Sequence, residues 1–533
     1  MYISIIGAGL AGLSAALTLA ERGIPCALIS SQGSERTQSV LAEGGINAAL
    51  DNMGEDDTTA EHFADTMKGG ADLADPNAVK GLTDAAPDII RRLEGYGVPF
   101  HRENGRIAQR NFGGQKKKRT VFAKSSTGKI VMSALTDEVR KYEAMGLVKR
   151  FCHHEAVDID IAERDGRLVC GGVTFIDIYT GRKYHLDGRV ILASGGLNGF
   201  FPGHTTGTVP NTGRLTALLF SKGIEIADPE FIQYHPTTVS ACGKRLLISE
   251  AARGEGGRLF VMRGGERWYF MRDKYPEMGD LMPRDVVSRE IWNVTHNDGC
   301  GDEVYLDLTV IPADTWQNKL SDMREEIRYQ LGIDPVNEPV KISPGIHFFM
   351  GGICVDKCHR TNADGLYAVG ECACQYHGAN RLGGNSMLGA LYGGLCAADG
   401  LAGEDVLPPE PLETGSDGGE VTTGFPDGFD GKLCDILLSG LGIVRDEKTM
   451  QAAVDRLGVL EREDLDDTQR QRLYLGKAML MGALLRKESR GAHFRSDYPE
   501  RDENYRKMTV AKYKDGGIDI TYRDIPELEK GEA

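Results

Sequence analysis

Side chains able to hold an anion cluster in four short, widely separated segments. These are Gln233-Tyr234-His235-Pro236-Thr237, Pro283-Arg284-Asp285, His347-Phe348-Phe349-Met350-Gly351-Gly352 and His377-Gly378-Ala379-Asn380-Arg381-Leu382-Gly383-Gly384-Asn385-Ser386. Each sets His or Arg beside Gly or Pro, outside any simple helical or strand period, so they read as loops converging on one site. Arginine with imidazole suits a carboxylate ligand. Taken out of water, a carboxylate needs charge-assisted donors, of which a bidentate guanidinium is the strongest single choice. Any one of these His residues alone would more often be a structural hydrogen-bonder, so the argument rests on the set.

A second constellation opens the chain. Gly7-Ala8-Gly9-Leu10-Ala11-Gly12 follows the apolar run Tyr2 to Ile6 and leads into the Ala/Leu-rich stretch Leu10 to Ala20. Strand, glycine turn and helix in that order are the context a dinucleotide fingerprint requires: the glycines permit the tight turn and close backbone approach, and the helix amino end receives a pyrophosphate. Ala27 to Ile29 reads as the second strand, but Ser30 stands where the fingerprint expects an acid. Later strands are expected over Val157 to Ile161, Val169 to Ile178 and Val190 to Ala193, with another glycine-rich strand exit at Gly365 to Glu371.

Because both ends of this region contribute to one nucleotide fold, the reading is a discontinuous α/β Rossmann-like dinucleotide-binding domain, 1–230 with 344–425. An α+β capping domain, 231–343, is inserted into it, and a helical domain, 426–533, follows. The stretch Gly403 to Gly431 is rich in Pro, Gly and acids and reads as a surface linker. A chain of 533 residues and 58.0 kDa supports about two to four domains.

The formal net charge of -16 disfavours nucleic acid or an anionic membrane surface as partner. Eleven cysteines, an odd number without ligand clustering, fit a reduced cytoplasmic protein better than a disulfide framework. No targeting segment is read at the amino end, and no uncharged run is long enough to cross a bilayer. Neither iron-sulfur nor haem spacing is present, so no metal site is assigned and an electron relay would lie on a partner.

As an ordered set these segments resemble the flavoprotein subunit family of fumarate reductases and succinate dehydrogenases, which includes L-aspartate oxidase. The resemblance implies FAD, in contact with Gly7, Gly9, Leu10, Ala11, Gly12, Ser30, Ser39, Glu43, Gly44, Gly45, Ala156, Glu371, Ser386 and Met387. Gln38 stands where membrane-bound members carry a His bonded covalently to FAD, so the expectation is noncovalent FAD. A further departure is Thr212-Gly213-Arg214-Leu215, where the family usually has Thr-Gly-Asp-Gly.

The resemblance also assigns the dicarboxylate clamp to Arg381, His235 and His347, with Ser249 in place of a Thr. Arg284 matches the family's proton donor, and Glu250 with Arg253 its relay. Fumarate reduction to succinate is therefore the expected reaction. L-Aspartate oxidase is the alternative, opposed by Phe112, where such oxidases typically place a Glu able to meet an ammonium group. Gln38 favours reduction over succinate oxidation. A non-catalytic flavin-binding subunit and a reductase of another unsaturated acid are the remaining readings. The charged tail from Arg486 to Asp502 resembles the end of these subunits and implies docking to an iron-sulfur electron-transfer partner, which would place a chain without a transmembrane segment beside the inner face of a membrane.

Overall fold

Ile3 and Ile5 of the first strand, Tyr2–Ile6, are fully buried, and so are Ala27 and Ile29 of Cys26–Ser30. Apolar side chains on both faces mark strands inside a parallel sheet covered by helices. In the computed structural model, which describes residues 1–529 except 125, 242, 299, 403–404 and 416–427, these strands pair in parallel at Ser4↔Ala27 and continue to Val148–Cys152. On the other side Tyr2–Ile6 pairs in parallel with Lys183–Leu192, which pairs in turn with Leu366–Ala368. The nine-stranded sheet thus draws strands from both ends of the nucleotide-binding region.

Two helices lie against one another on this sheet, Leu10–Glu21 and Asn385–Gly400. Their approach is set by glycine: a Cβ on Gly394 would stand 2.3 Å from the Ala11 carbonyl oxygen. Across the same contact the Ser14 hydroxyl donates to the Leu391 carbonyl at 2.7 Å.

Residues 232–349 contribute a six-stranded sheet. Ile232–Ala241 and Val340–Phe349 pair antiparallel at its centre, and the helix Arg284–His296 docks beside them, with the Ser288 hydroxyl on the Tyr234 carbonyl at 3.1 Å. His235, His347 and Arg284 therefore sit on adjoining regular elements rather than on free loops. A bulge between His235 and Thr238 re-aims the strand where Pro236 cannot donate to the ladder.

Three helices, Gly428–Gly440, Glu447–Leu460 and Asp467–Leu485, follow. The carboxyl-terminal part also holds a hairpin, Lys507–Lys514 with Gly517–Asp524, whose first strand pairs with Ile226–Ala227. Helical periodicity gave no notice of it; its first strand is buried continuously from Met508 to Ala511. Within the expected linker, Leu412–Gly415 is a strand paired with Lys183–His185, while 403–404 and 416–427 lie outside the described residues.

The charged tail is divided between interior and surface. Arg486, Glu488, Arg490, His493 and Arg495 are at most 1% exposed. Arg486 binds Glu230 at 2.8 Å and Glu488 at 3.0 Å, and Arg490 binds Glu488 at 2.8 Å. Opposite charges meet inside the chain, so these side chains cannot meet a partner; Glu500 and Arg501 remain at the surface. No helix among the described residues is long and apolar enough to cross a membrane.

Candidate active site

The glycine turn after the first strand needs glycine for two different reasons. Gly7 has φ +111°, and a Cβ there would lie 2.2 Å from the Ala193 carbonyl oxygen. Gly12 faces inward, where a Cβ would lie 1.8 Å from the Gly7 carbonyl oxygen. Gly9 faces outward, and Leu10 N–H, in the first turn of the helix, donates to the Ser39 hydroxyl at 3.1 Å. Backbone donors at a helix amino end, with glycine in place of bulky side chains and a hydroxyl beside them, are suited to a pyrophosphate.

One continuous cavity of about 290 Å³ runs from this turn to the His and Arg residues. Of the expected cofactor contacts, Gly7, Gly9, Leu10, Ala11, Ser30, Ser39, Glu43, Gly44, Gly45, Ala156, Glu371, Ser386 and Met387 line it. Gly12 does not; it packs the turn against itself. The Ser30 hydroxyl donates to the Gln32 carbonyl at 2.6 Å. Arg214 lines the same end as Ala156, donates to that residue's carbonyl at 3.0 Å and pairs with Glu155 at 3.1 Å. Gln38 also lines the cavity, its side-chain oxygen accepting the Thr208 N–H at 2.6 Å. Glu371 accepts the Phe349 N–H at 3.1 Å, and burial pushes its carboxyl up to about 7.

At the other end stand His235, His347, Ser249, Glu250, Arg284, Arg381 and Phe112. Arg284 does not pair with its neighbour Asp285, which instead accepts from Asn380 at 3.0 Å. Its Nε and Nη2 donate to one oxygen of Glu250 at 3.0 and 2.6 Å. Arg253 reaches the other Glu250 oxygen at 3.2 Å from outside the cavity wall. Phe112, 1% exposed, covers the glycine loop, its ring within 2.9 Å of where a Gly44 Cβ would be.

Gln233, to which the sequence assigns no role, has one in the structure. Its side-chain oxygen accepts from Arg284 Nη1 and Arg381 Nη2, each at 3.0 Å. Its amide nitrogen donates to Asn380 Oδ1 and the Arg381 carbonyl, each at 2.8 Å. A neutral dipole thus separates two like charges and fixes their spacing. Arg381 lies 4.4 Å over the Phe348 ring, and burial, with the nearby Arg284, lowers its affinity for a proton. The signal in the sequence was position alone, two residues before His235 in the same strand.

The two imidazoles lie with ring centroids 5.0 Å apart. Burial first, then the positive charge of Arg284, holds both well below the ordinary histidine range, so both are neutral. Thr237 N–H donates to His235 Nδ1 at 3.3 Å, which leaves the proton on Nε2, a buried donor with no partner among the described residues. His347 Nδ1 is fixed by the Thr206 hydroxyl at 2.7 Å. His377 likewise lines the cavity with a partnerless buried Nδ1. Burial tends to raise the Glu250 carboxyl, but Arg284 and Arg253 overcome this and hold it below its usual range. Guanidiniums and imidazole donors around one space can receive a dianion, and the ionised Glu250 carboxylate behind Arg284 can accept a proton and pass it on.

The family described as FAD binding domain matches residues 3–387, and that described as fumarate reductase flavoprotein C-term matches 468–529. The succinate dehydrogenase flavoprotein subunit of Bacillus subtilis (strain 168) is 36% identical, over 99% of this chain and 95% of its own. The fumarate reductase flavoprotein subunit of Mycobacterium tuberculosis (strain ATCC 25618 / H37Rv) is 35% identical, over 98% and 97%. Among solved structures, an E. coli quinol fumarate reductase chain superposes with a TM-score of 0.84 at 29% identity, covering 100% of this chain and 98% of that one. The glycine-framed cavity fits FAD, the cofactor that the matching family's description names. The chain belongs to the flavoprotein subunit family of succinate dehydrogenases and fumarate reductases and is an FAD-dependent oxidoreductase.

Proposed function

We propose that this chain reduces fumarate to succinate, with Arg284 as proton donor. The observation that carries the reading is the placement of Arg284: it is bound to Glu250 on one side and to Gln233 and thence Arg381 on the other, in the cavity that begins at the dinucleotide turn. Bound FAD supplies a hydride. Arg381, His235 Nε2, His347 and Ser249 hold the two carboxylates, and neutral imidazoles serve as donors without trapping a product dianion in an ion pair. An arginine holds its proton far above neutral pH and is a poor acid. Proton loss from Arg284 therefore needs immediate replacement, which Glu250 and Arg253 are placed to give.

Several finer assignments belong to the same reading. Gln38 has no nucleophilic lone pair on its amide nitrogen, so FAD is held without a covalent bond, which favours reduction over succinate oxidation. The cofactor contacts are those that line the cavity, and the division into 1–230 with 344–425, 231–343 and 426–533 puts the turn in one part and Arg284 in another. An iron-sulfur subunit supplies the electrons, and the chain works beside the inner face of a membrane through such partners. Phe112 offers no group to an ammonium ion, which weighs against aspartate.

Anaerobic mixing of the reduced holoprotein with fumarate in a stopped-flow spectrometer tests this. Rapid reoxidation is expected, slowed at least about 100-fold in Arg284→Ala. A flavin that fumarate leaves reduced, but that aspartate reduces when oxidised, would overturn the reading in favour of aspartate oxidase.

A further inference from the structure

If Arg284 is the donor, each turnover removes a proton from a row of groups that water cannot reach. Glu250 is 1% exposed and Arg253 2%. One Glu250 oxygen is held by Arg284, and the other meets the Gly113 N–H at 3.1 Å and Arg253 at 3.2 Å. Arg253 is therefore the ionisable neighbour on the outer side, and it too must be fed. Its Nη1 donates to the Asp280 backbone carbonyl at 2.6 Å, while its Nε is buried without a partner among the described residues.

The Asp280 carboxyl stands next in line. It lies beyond ion-pair distance of the Arg253 guanidinium, though near enough for their charges to act on each other, so a water between the two carries that transfer. The carboxyl accepts the Leu259 N–H at 2.8 Å on one oxygen and faces Arg272 Nε at 3.4 Å on the other. Asp280 is 5% exposed, whereas the Arg272 side chain is 49% exposed and so reaches water. From the cavity outward the row alternates in charge: Arg284, Glu250, Arg253, Asp280, Arg272. Asp280 and Arg284 also belong to one short segment, Asp280 in the turn Gly279–Leu281 and Arg284 at the start of the next helix.

We infer that Asp280 is the proton inlet for this site, a positioning residue for the relay that takes a proton from water beside Arg272 and passes it by way of Arg253 and Glu250 to Arg284. The inference rests on the reading of Arg284 as donor. Each transfer moves one proton from a carboxyl or guanidinium group to its neighbour, and no electrons travel along the row. After one turnover a proton has gone from water to the substrate carbon, and every member of the row regains its starting charge. The charged groups facing the carboxyl are Arg253 and Arg272, with the Leu259 amide as its remaining partner. Burial raises the carboxyl above its ordinary range despite those partners, which keeps a protonated fraction available closer to neutral pH, as a donor needs.

The test uses the reduced holoprotein and fumarate, with reoxidation followed from about pH 6 to about pH 9 in light and heavy water. Asp280→Asn keeps an acceptor for Leu259 but cannot relay a proton. It is expected to slow reoxidation about tenfold or more, with a larger solvent isotope effect, while fumarate affinity for the oxidised protein stays within about twofold; Asp280→Glu restores the rate. Wild-type rates for Asp280→Asn across that range, alongside a dead Arg284→Ala, would overturn the inlet and leave the donor standing. A normal rate for Arg284→Ala would overturn both. Should Asp280→Asn fail to fold, Arg272→Met decides: removing the exposed cation raises the Asp280 pKa, so the alkaline limb is expected to move to higher pH. An unmoved limb refutes the inlet.

Discussion

At the scale of single residues, the site is a problem of keeping two buried cations close together. Arg284 and Arg381 share one Gln233 oxygen, and Gln233 is wholly buried. Gln233→Leu removes that acceptor and leaves two guanidinium N–H groups without a partner, at about 1–3 kcal/mol for each group stranded. The expected outcome is a fumarate-dependent rate lower by about 10- to 100-fold, with FAD content unchanged, checked by flavin absorbance and stopped-flow reoxidation. Chemistry-bearing residue types were legible in the sequence; this role was not. Glutamine carries no charge and follows no spacing rule, so only the proximity of the two arginines reveals it.

The element scale explains why some expected contacts line the cavity and others do not. Gly7 and Gly9 present backbone to the space in front of the helix Leu10–Glu21, but Gly12 faces back onto Gly7. A methyl group at Gly12 would collide with backbone rather than with a flexible side chain, so the turn itself must move. Gly12→Ala is expected to purify with FAD at least about tenfold depleted while its helix content, read by far-UV circular dichroism, stays native. Strand, turn and helix were readable because apolar period and glycine placement are local properties. The hairpin Lys507–Lys514 with Gly517–Asp524 was not, since its partner strand lies at Ile226–Ala227, far away in sequence.

Across the whole molecule, burial of ionisable groups sets the response to pH. His62, His235, His347, His359, His377 and His493 are all held below the ordinary histidine value, with burial the leading cause. In the unfolded chain they take up protons near pH 6.5, and in the folded chain they do not. The unfolded state thus binds more protons below that pH, and stability falls as pH drops through it, by up to about 1.4 kcal/mol per pH unit for each histidine. Urea midpoints measured from about pH 7.5 down to about pH 5.5 are expected to fall steadily. A flat profile would contradict the neutral assignments. The same logic rules on the tail: Arg486, Arg490 and Arg495 are internal ion-pair members, so their loss is expected to act on folding.

By itself the sequence determined the class of chemistry and the outline of the nucleotide fold. Residue types, glycine turns and strand periods are written locally, and His235, Arg284, His347 and Arg381 stood out in loop-like segments. Only the tertiary structure decided which of those side chains share a cavity, that Arg284 turns to Glu250 rather than to Asp285, and that Gln233 joins the two arginines. It also decided that Arg486, Glu488, Arg490 and Arg495 of the charged tail are interior. Distance between residues far apart in the chain, and the loss of water around them, are properties of packing, and charge state, donor direction and partner choice all follow from those two quantities.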